Sequence, residues 1–339
     1  MAFSEERFFA KMERPFTMTP LSTLIRDEIA RDGPVSFRRF MELALYHPQY
    51  GYYRRERDPF GKEGDFYTAE QLQPAFGILV AARIRAMFEE LGRPDGFTVV
   101  ELGPGRAEMR HALSEWEYVP VDLGGALPAR FCGVVFSNEF FDALPVEVAV
   151  RRGGGFCEMR VDWNGSRFVW KEAGPVSAEA ADYIARYLPP REEGDLIEIN
   201  LDALRWTERI AGSLDRGFVL TIDYGYTRRE AVRFRSGTLM SYRRHTALED
   251  VLEDPGGRDI TAHVPFTALE ERGKCCGLEP LRFETLARML LAIGERDAFA
   301  EVLTAHDAAD ESRRRLQLKT LLFGMGETFR VLVQQKRVV

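Results

Sequence analysis

The chain has 339 residues, 45% hydrophobic and 29% charged, enough to bury a large core as one elaborated α/β domain or as two domains. Its formal net charge of -7 argues against broad DNA or RNA binding. No stretch reaches about 18 consecutive apolar residues, and the first thirty carry charges throughout, so neither a spanning helix nor a secretory leader is expected and the chain reads as cytoplasmic.

Pro20 to Arg31 places Leu21, Leu24, Ile25 and Ile29 at helical spacing, and Asp32-Gly33-Pro34 ends that helix. A second helix carries Phe37, Phe40, Met41, Leu43 and Leu45, with Ser36 as its N-cap and His47-Pro48 as its stop. Tyr50 to Thr68 is rich in glycine, tyrosine and charge and reads as an irregular loop, after which Leu72 to Leu91 resumes helical periodicity. This gives a helical, glycine-rich region over 1–95.

The core is then expected over 96–339, with a helical insertion at about 226–320. Phe97 to Leu102 is a short apolar strand, and Tyr118 to Leu123, Val134 to Ser137 and Phe218 to Tyr224 read as further buried parallel strands. Helical patterns over Ala178 to Tyr187 and Leu201 to Leu214 complete an alternation that predicts a doubly wound sheet. Phe156 to Val161 and Arg167 to Trp170 flank Asn164-Gly165, a hairpin signal. Thr285 to Leu321 reads as largely helical and Phe329 to Gln334 as a last strand. Cys132, Cys157, Cys275 and Cys276 have no paired metal spacing and are expected to be reduced structural thiols, with no metal site.

The first strand runs into Glu101-Leu102-Gly103-Pro104-Gly105. Neither glycine has a Cβ to keep a ligand from the backbone, so the turn suits an adenosyl cofactor, although an ordinary tight turn has the same composition. About twenty residues on, Asp122 ends the second strand, where a carboxylate can accept hydrogen bonds from both ribose hydroxyls or merely cap a turn. The third strand end carries Asn138, Glu139 and Asp142. Polar groups at carboxyl strand ends line the ligand crevice, and paired carboxylates suit a guanidinium; the plainer alternative has Glu139 and Asp142 capping a following helix.

These residues fall within eight ordered blocks. They are Tyr50–Tyr53, Gly64-Asp65-Phe66-Tyr67-Thr68, Glu101–Arg106, Asn138–Pro145, Asp223-Tyr224-Gly225, Gly237-Thr238-Leu239 with Tyr242 and His245, Asp259–Phe266 and Gly324–Phe329. In these blocks the chain resembles the MidA-like family of S-adenosylmethionine-dependent methyltransferases, whose mitochondrial members are arginine methyltransferases that assist assembly of respiratory complex I. The resemblance implies a Rossmann-like α/β sheet with an N-terminal helical region and helical elaborations, and S-adenosyl-L-methionine as cofactor. It implies that Glu101, Gly103, Pro104, Gly105 and Asp122 bind the cofactor, that Gly64, Asp65 and Thr68 close over it, and that Asn138, Glu139 and Asp142 border the substrate as catalytic residues. It also implies a protein partner as substrate, with a subunit of a respiratory NADH dehydrogenase as the first candidate; a homodimer is a further expectation.

Three departures stand out. Ala107 replaces a usual glycine, Ala69-Glu70 replaces a usual serine-proline, and only fourteen residues separate Asp122 from Ser137. That interval is too short for the helix-strand-helix that normally fills it. A non-catalytic assembly factor with a reduced pocket therefore stands as the rival reading, and a nicotinamide-dependent oxidoreductase, lacking the three-glycine fingerprint, as a third. His245, His263, Asp259 and Thr261 are expected to be structural, Arg54, Arg55 and Arg57 to form a solvated face, and Tyr50, Tyr52 and Tyr53 to pack between domains and not to stack on bases.

Overall fold

The computed structural model describes residues 18–54, 69–243, 246–248 and 250–337. Its main sheet has seven strands: β1 (Thr98–Leu102), β2 (Glu117–Val121), β3 (Phe131–Asn138), β4 (Leu214–Tyr226), β5 (Val264–Pro265), β6 (Leu278–Thr285) and β7 (Phe329–Lys336). They lie in the order β6-β7-β4-β3-β1-β2, with β5 paired alongside the end of β4. Strands β2, β1, β3 and β4 are parallel, β7 runs antiparallel to β4, and β6, antiparallel to β7, runs in the same direction as β4.

The helices are α1 (Pro20–Asp32), α2 (Phe37–Tyr46), α3 (Ala75–Glu90), α4 (Ala178–Tyr187), α5 (Leu201–Ser213), α6 (Phe266–Cys275), α7 (Leu286–Gly294), α8 (Ala300–Leu303) and α9 (Ala308–Lys319). Strand alternation sends Val99, Val134 and Phe218 into a core with Phe76, Ile84 and Leu290 of α3 and α7. It sends Val100, Val135 and Val219 into a second core with Trp206 and Ile210 of α5 and Leu269 of α6. The sheet is thus covered on both faces, which explains why its central strands are almost wholly apolar. No helix among the described residues is long and apolar enough to cross a membrane.

Between β3 and β4 the chain builds a second, antiparallel sheet. Its order is Val35–Ser36, Gly155–Trp163, Glu147–Arg152 and Leu196–Ile199, with Phe168–Pro175 paired to Gly155–Trp163. The Asn164-Gly165 hairpin lies within it, and the Asn164 side chain accepts from Ser166 N and Arg167 N at 2.9 Å each. α1 and α2 pack on this sheet through Leu21, Ile25, Phe37 and Phe40 against Val148 and Val161. Thr19 and Ser36 cap the two helices, each accepting an N–H three residues on.

Two features differ from the sequence reading. Helix α4 packs against the inserted sheet through Tyr183, Ile184 and Tyr187, instead of serving as a crossover of the main sheet. Periodicity locates a helix but not the surface it covers. The 226–320 stretch, expected as helical, also contains β5, β6 and a three-stranded sheet of Thr246–Leu248, Met240–Arg243 and Asp259–Thr261. These strands are too short, or in β6 too exposed on the sheet edge, to produce a continuous apolar run.

Candidate active site

Register fixes the site. Leu102 of β1 pairs with Val121 of β2 and Ser137 of β3, and Asn138 pairs with Ile222 of β4. Gly103, Asp122, Glu139 and Asp223 therefore come off four neighbouring strands at one level, at the carboxyl edge of the parallel sheet. β1 leads outward to β2, while the chain crosses back to β3 on the other side of β1, so this edge is a topological switch point, where ligand crevices form.

The glycine turn has the backbone of a cofactor loop. Gly103 and Gly105 sit at φ +64° and +51°, and a Cβ on Gly103 would come within 2.8 Å of the Phe140 ring. The Gly103 N–H is anchored to Val121 O at 2.9 Å and Ala107 N–H to Pro104 O at 2.6 Å. Ala107 itself adopts φ +58°, which accounts for the glycine usual at this position. Asp122 is exposed, its Oδ1 accepting only the adjacent Leu123 N–H at 2.8 Å among the described hydrogen bonds. Among the described residues no strand lies beyond β2, so the short interval after Asp122 leaves this side of the site without a further strand.

Around the glycine turn the acids are buried. Glu101 is fully enclosed; the Tyr118 hydroxyl donates to its Oε2, while its Oε1 has no hydrogen-bond partner. Burial lifts the Glu101 carboxyl to about 7, and lifts Glu70, which faces it, well above the usual carboxylate range. Burial and the Glu101 charge raise the Tyr118 hydroxyl as well.

On the other side of the crevice lie Asn138, Glu139 and Asp142. No helix begins here: residues 139–146 form a turn, so the capping role does not arise. Glu139 adopts φ +51°, strained for a residue with a side chain, and its N–H is held by Ile222 O at 3.0 Å. Its Oε1 accepts from Ala69 N–H at 3.2 Å and Asn138 Nδ2 at 3.1 Å, and the Tyr224 hydroxyl also donates to this carboxyl. Burial and then the Asp223 charge outweigh these donors and lift Glu139 to about 8. Asp142 is raised by burial and by Asp223, Glu139 and Asp259 in turn, all of them acids. Asp142 Oδ1 and Asn138 Oδ1 are buried without a partner among the described residues. Buried acceptors with no donor are costly unless a ligand supplies one.

Sequence reasoning missed several members of this cluster. Asp223 is completely buried and accepts Phe141 N–H at 2.9 Å, Asp142 N–H at 3.4 Å and Tyr224 N–H at 2.8 Å, clamping the turn to β4. Burial holds it near 7 despite those bonds. Asp259, expected to be structural, is buried beside Asp142 and accepts the Tyr53 hydroxyl at 2.9 Å. The Tyr46 hydroxyl donates to Ala143 O at 2.8 Å, and Ala262 N–H to Asp142 O at 2.9 Å. The acids opening two of the sequence blocks, Asp223 and Asp259, were the available signal. Gly64, Asp65, Thr68 and His245 lie outside the described residues. His263 is half-buried against Phe234, with its imidazole pushed below the usual range by burial, and its backbone N–H donates to Thr238 Oγ1 at 3.0 Å.

A family model described as "Putative S-adenosyl-L-methionine-dependent methyltransferase" matches residues 111–284, half of the chain. The chain belongs to the MidA-like S-adenosylmethionine-dependent methyltransferases. A crystal structure of a member from Burkholderia thailandensis bound to S-adenosyl-homocysteine is 32% identical, with TM-score 0.84, over 94% of this chain and 92% of that one. Among curated relatives, the Drosophila melanogaster protein named protein arginine methyltransferase NDUFAF7 homolog, mitochondrial, is 28% identical over 76% of this chain and 72% of its own. The human NDUFAF7 protein is 27% identical over 80% and 73%. The methyltransferase uses S-adenosylmethionine, and the glycine conformations, the exposed strand-end Asp122 and the unpartnered buried oxygens fit that cofactor.

Proposed function

We propose that this methyltransferase transfers a methyl group to an arginine side chain of a protein. The reading is carried by one observation: half-buried Glu139 meets buried Asp142, Asp223 and Asp259, and the charges acting most strongly on Glu139 and Asp142 are those of the other acids. Such a site is built for a cation with several N–H donors, and a guanidinium presents five in a planar fork. The relatives named protein arginine methyltransferases support the same acceptor. By analogy a subunit of a respiratory NADH dehydrogenase is the first protein to test.

When bound, S-adenosylmethionine supplies an electrophilic methyl carbon on a sulfonium. The protein's task is to aim the acceptor nitrogen and take its proton. Glu139 serves as the base, its carboxylate oriented by Ala69 N–H, Asn138 and Tyr224. Asp142 Oδ1 and Asn138 Oδ1 receive the remaining guanidinium N–H groups. Asp223 holds the turn and touches no substrate. In the proposal, Gly103, Pro104, Gly105 and Asp122 lie along the cofactor, with Glu101 behind the turn and Gly64, Asp65 and Thr68 contributed by the preceding segment.

The test is methyl transfer from isotopically labelled S-adenosylmethionine to proteins of a cell extract, read by mass spectrometry. Label on arginine in the wild type and its loss in Glu139→Gln are expected. Label confined to lysine or to small molecules would overturn the arginine reading while leaving the methyltransferase intact.

A further inference from the structure

We propose that Glu70, together with Glu101, seats the α-ammonium group of the cofactor's amino-acid arm. Glu70 lies outside the sheet, on the short helical turn Ala69–Gln71, and no strand-end reasoning points to it. That turn brings it against Glu101, two residues before Gly103, where the backbone opens for the ligand.

The two carboxyls meet as an acid pair. Glu101 is 0% and Glu70 6% exposed, and the Oε1 atom of each is buried without a hydrogen-bond donor among the described residues. Tyr118 donates to the other Glu101 oxygen and the two carboxyls bond each other, so the pair leaves two buried oxygens that lack a donor. The strongest charged neighbours of Glu70 are Glu101, Glu139 and Glu108; Glu101 additionally feels Arg110, whose guanidinium stacks over the Tyr118 ring at 4.9 Å. Two like charges in contact cannot both ionise in a buried site, so without ligand they share a proton.

A primary ammonium satisfies this arrangement: it brings one positive charge and three N–H donors to replace that proton. A sulfonium brings charge but no donor and would leave both Oε1 atoms unbonded. The acceptor guanidinium has its own cluster at Glu139 and Asp142, on the other side of the Ala69 amide. The assignment rests on the family's cofactor and not on the arginine reading, so either can fail alone.

The experiment compares equilibrium binding of S-adenosylhomocysteine with that of 5′-methylthioadenosine, which keeps the adenosine and thioether but lacks the amino-acid arm. Glu70→Gln is expected to weaken S-adenosylhomocysteine by about tenfold or more and to leave 5′-methylthioadenosine within about twofold. Equal loss of both ligands, or no loss of the first, overturns the proposal. A measurement on the unaltered protein covers a variant that does not fold. Because a proton competes with the ammonium for the same oxygens, lowering the pH from about 8 to about 6 should weaken S-adenosylhomocysteine relative to 5′-methylthioadenosine. A ratio that does not change with pH, or no binding of S-adenosylhomocysteine at all, rejects the seat.

Discussion

The backbone N–H of Ala69 reaches Glu139 Oε1 at 3.2 Å, fastening the turn that carries Glu70 to the carboxylate at the end of β3. One residue of this turn thus touches the acceptor cluster while the next faces the acid behind the glycine turn. The acceptor cluster and the acid behind the glycine turn are thus joined by one short helical turn.

Glu139→Gln should reduce methyl transfer by about 100-fold or more, the usual contribution of a positioned base. The amide can still accept the Ala69 N–H and occupies the same volume, so cofactor affinity should hold within a few-fold. Single-turnover rates and cofactor titration on the same preparation check this; a variant with full activity would remove Glu139 from the proton transfer.

The pH profile follows from the same group. Glu139 is held near 8, so its carboxylate, the form that accepts a proton, grows as pH rises toward and past that value. The rate without saturating acceptor should climb between about pH 6.5 and 8.5. A rate that falls over this interval would contradict the assignment.

Stability should move the opposite way. Glu101, Asp223 and Glu139 are raised by burial to about 7, 7 and 8, so the folded chain binds more protons than the unfolded chain above the ordinary carboxylate range. Their contribution is fully present below that range and is lost as pH rises through these values, at up to about 1.4 kcal/mol per pH unit for each group. Urea midpoints of the cofactor-free protein should be lower at pH 8 than at pH 5.5, and Glu139→Gln should flatten the difference. A midpoint that increases with pH would show that other groups dominate.

The parallel strands were legible because each is an apolar run ending in polar residues, and the register that brings Gly103, Asp122 and Glu139 together follows from parallel pairing alone. What the residue pattern did not reveal lies at longer range. Glu70 reads as a surface acid in any local window, and its burial comes from the turn folding back on Glu101. Asp223 looks like a polar strand end, and its clamp on the Phe141 and Asp142 amides exists only once β3 and β4 are side by side. The inserted sheet was half visible, through its hairpin. Its strands at Val35–Ser36 and Leu196–Ile199 are too short to identify without their partners.

Gly103→Ala tests the turn itself. The residue sits at φ +64°, and its new Cβ would lie 2.8 Å from Phe140 Cδ2, a ring already packed edge-on to Trp206 and Phe141. Strain of about 1–2 kcal/mol from the backbone alone is expected, with a ring displacement added. Thermal unfolding should shift down and cofactor affinity should fall together.

Asp122→Ala separates binding from folding. Asp122 is exposed at the end of β2, and its one described side-chain bond is to the next residue's N–H, so its removal should change the free energy of unfolding by no more than about 0.5 kcal/mol. If its carboxylate accepts the ribose hydroxyls, the cofactor loses two charge-assisted hydrogen bonds, and affinity should drop by about tenfold or more. The same substitution should weaken 5′-methylthioadenosine as much as S-adenosylhomocysteine, since both carry the ribose. That pattern is the reverse of the one expected for Glu70→Gln, and the two variants measured with the two ligands place the nucleoside and the amino-acid arm at opposite ends of the crevice. An Asp122→Ala protein that binds both ligands as tightly as the wild type would assign the ribose to some other group and reduce Asp122 to a turn residue.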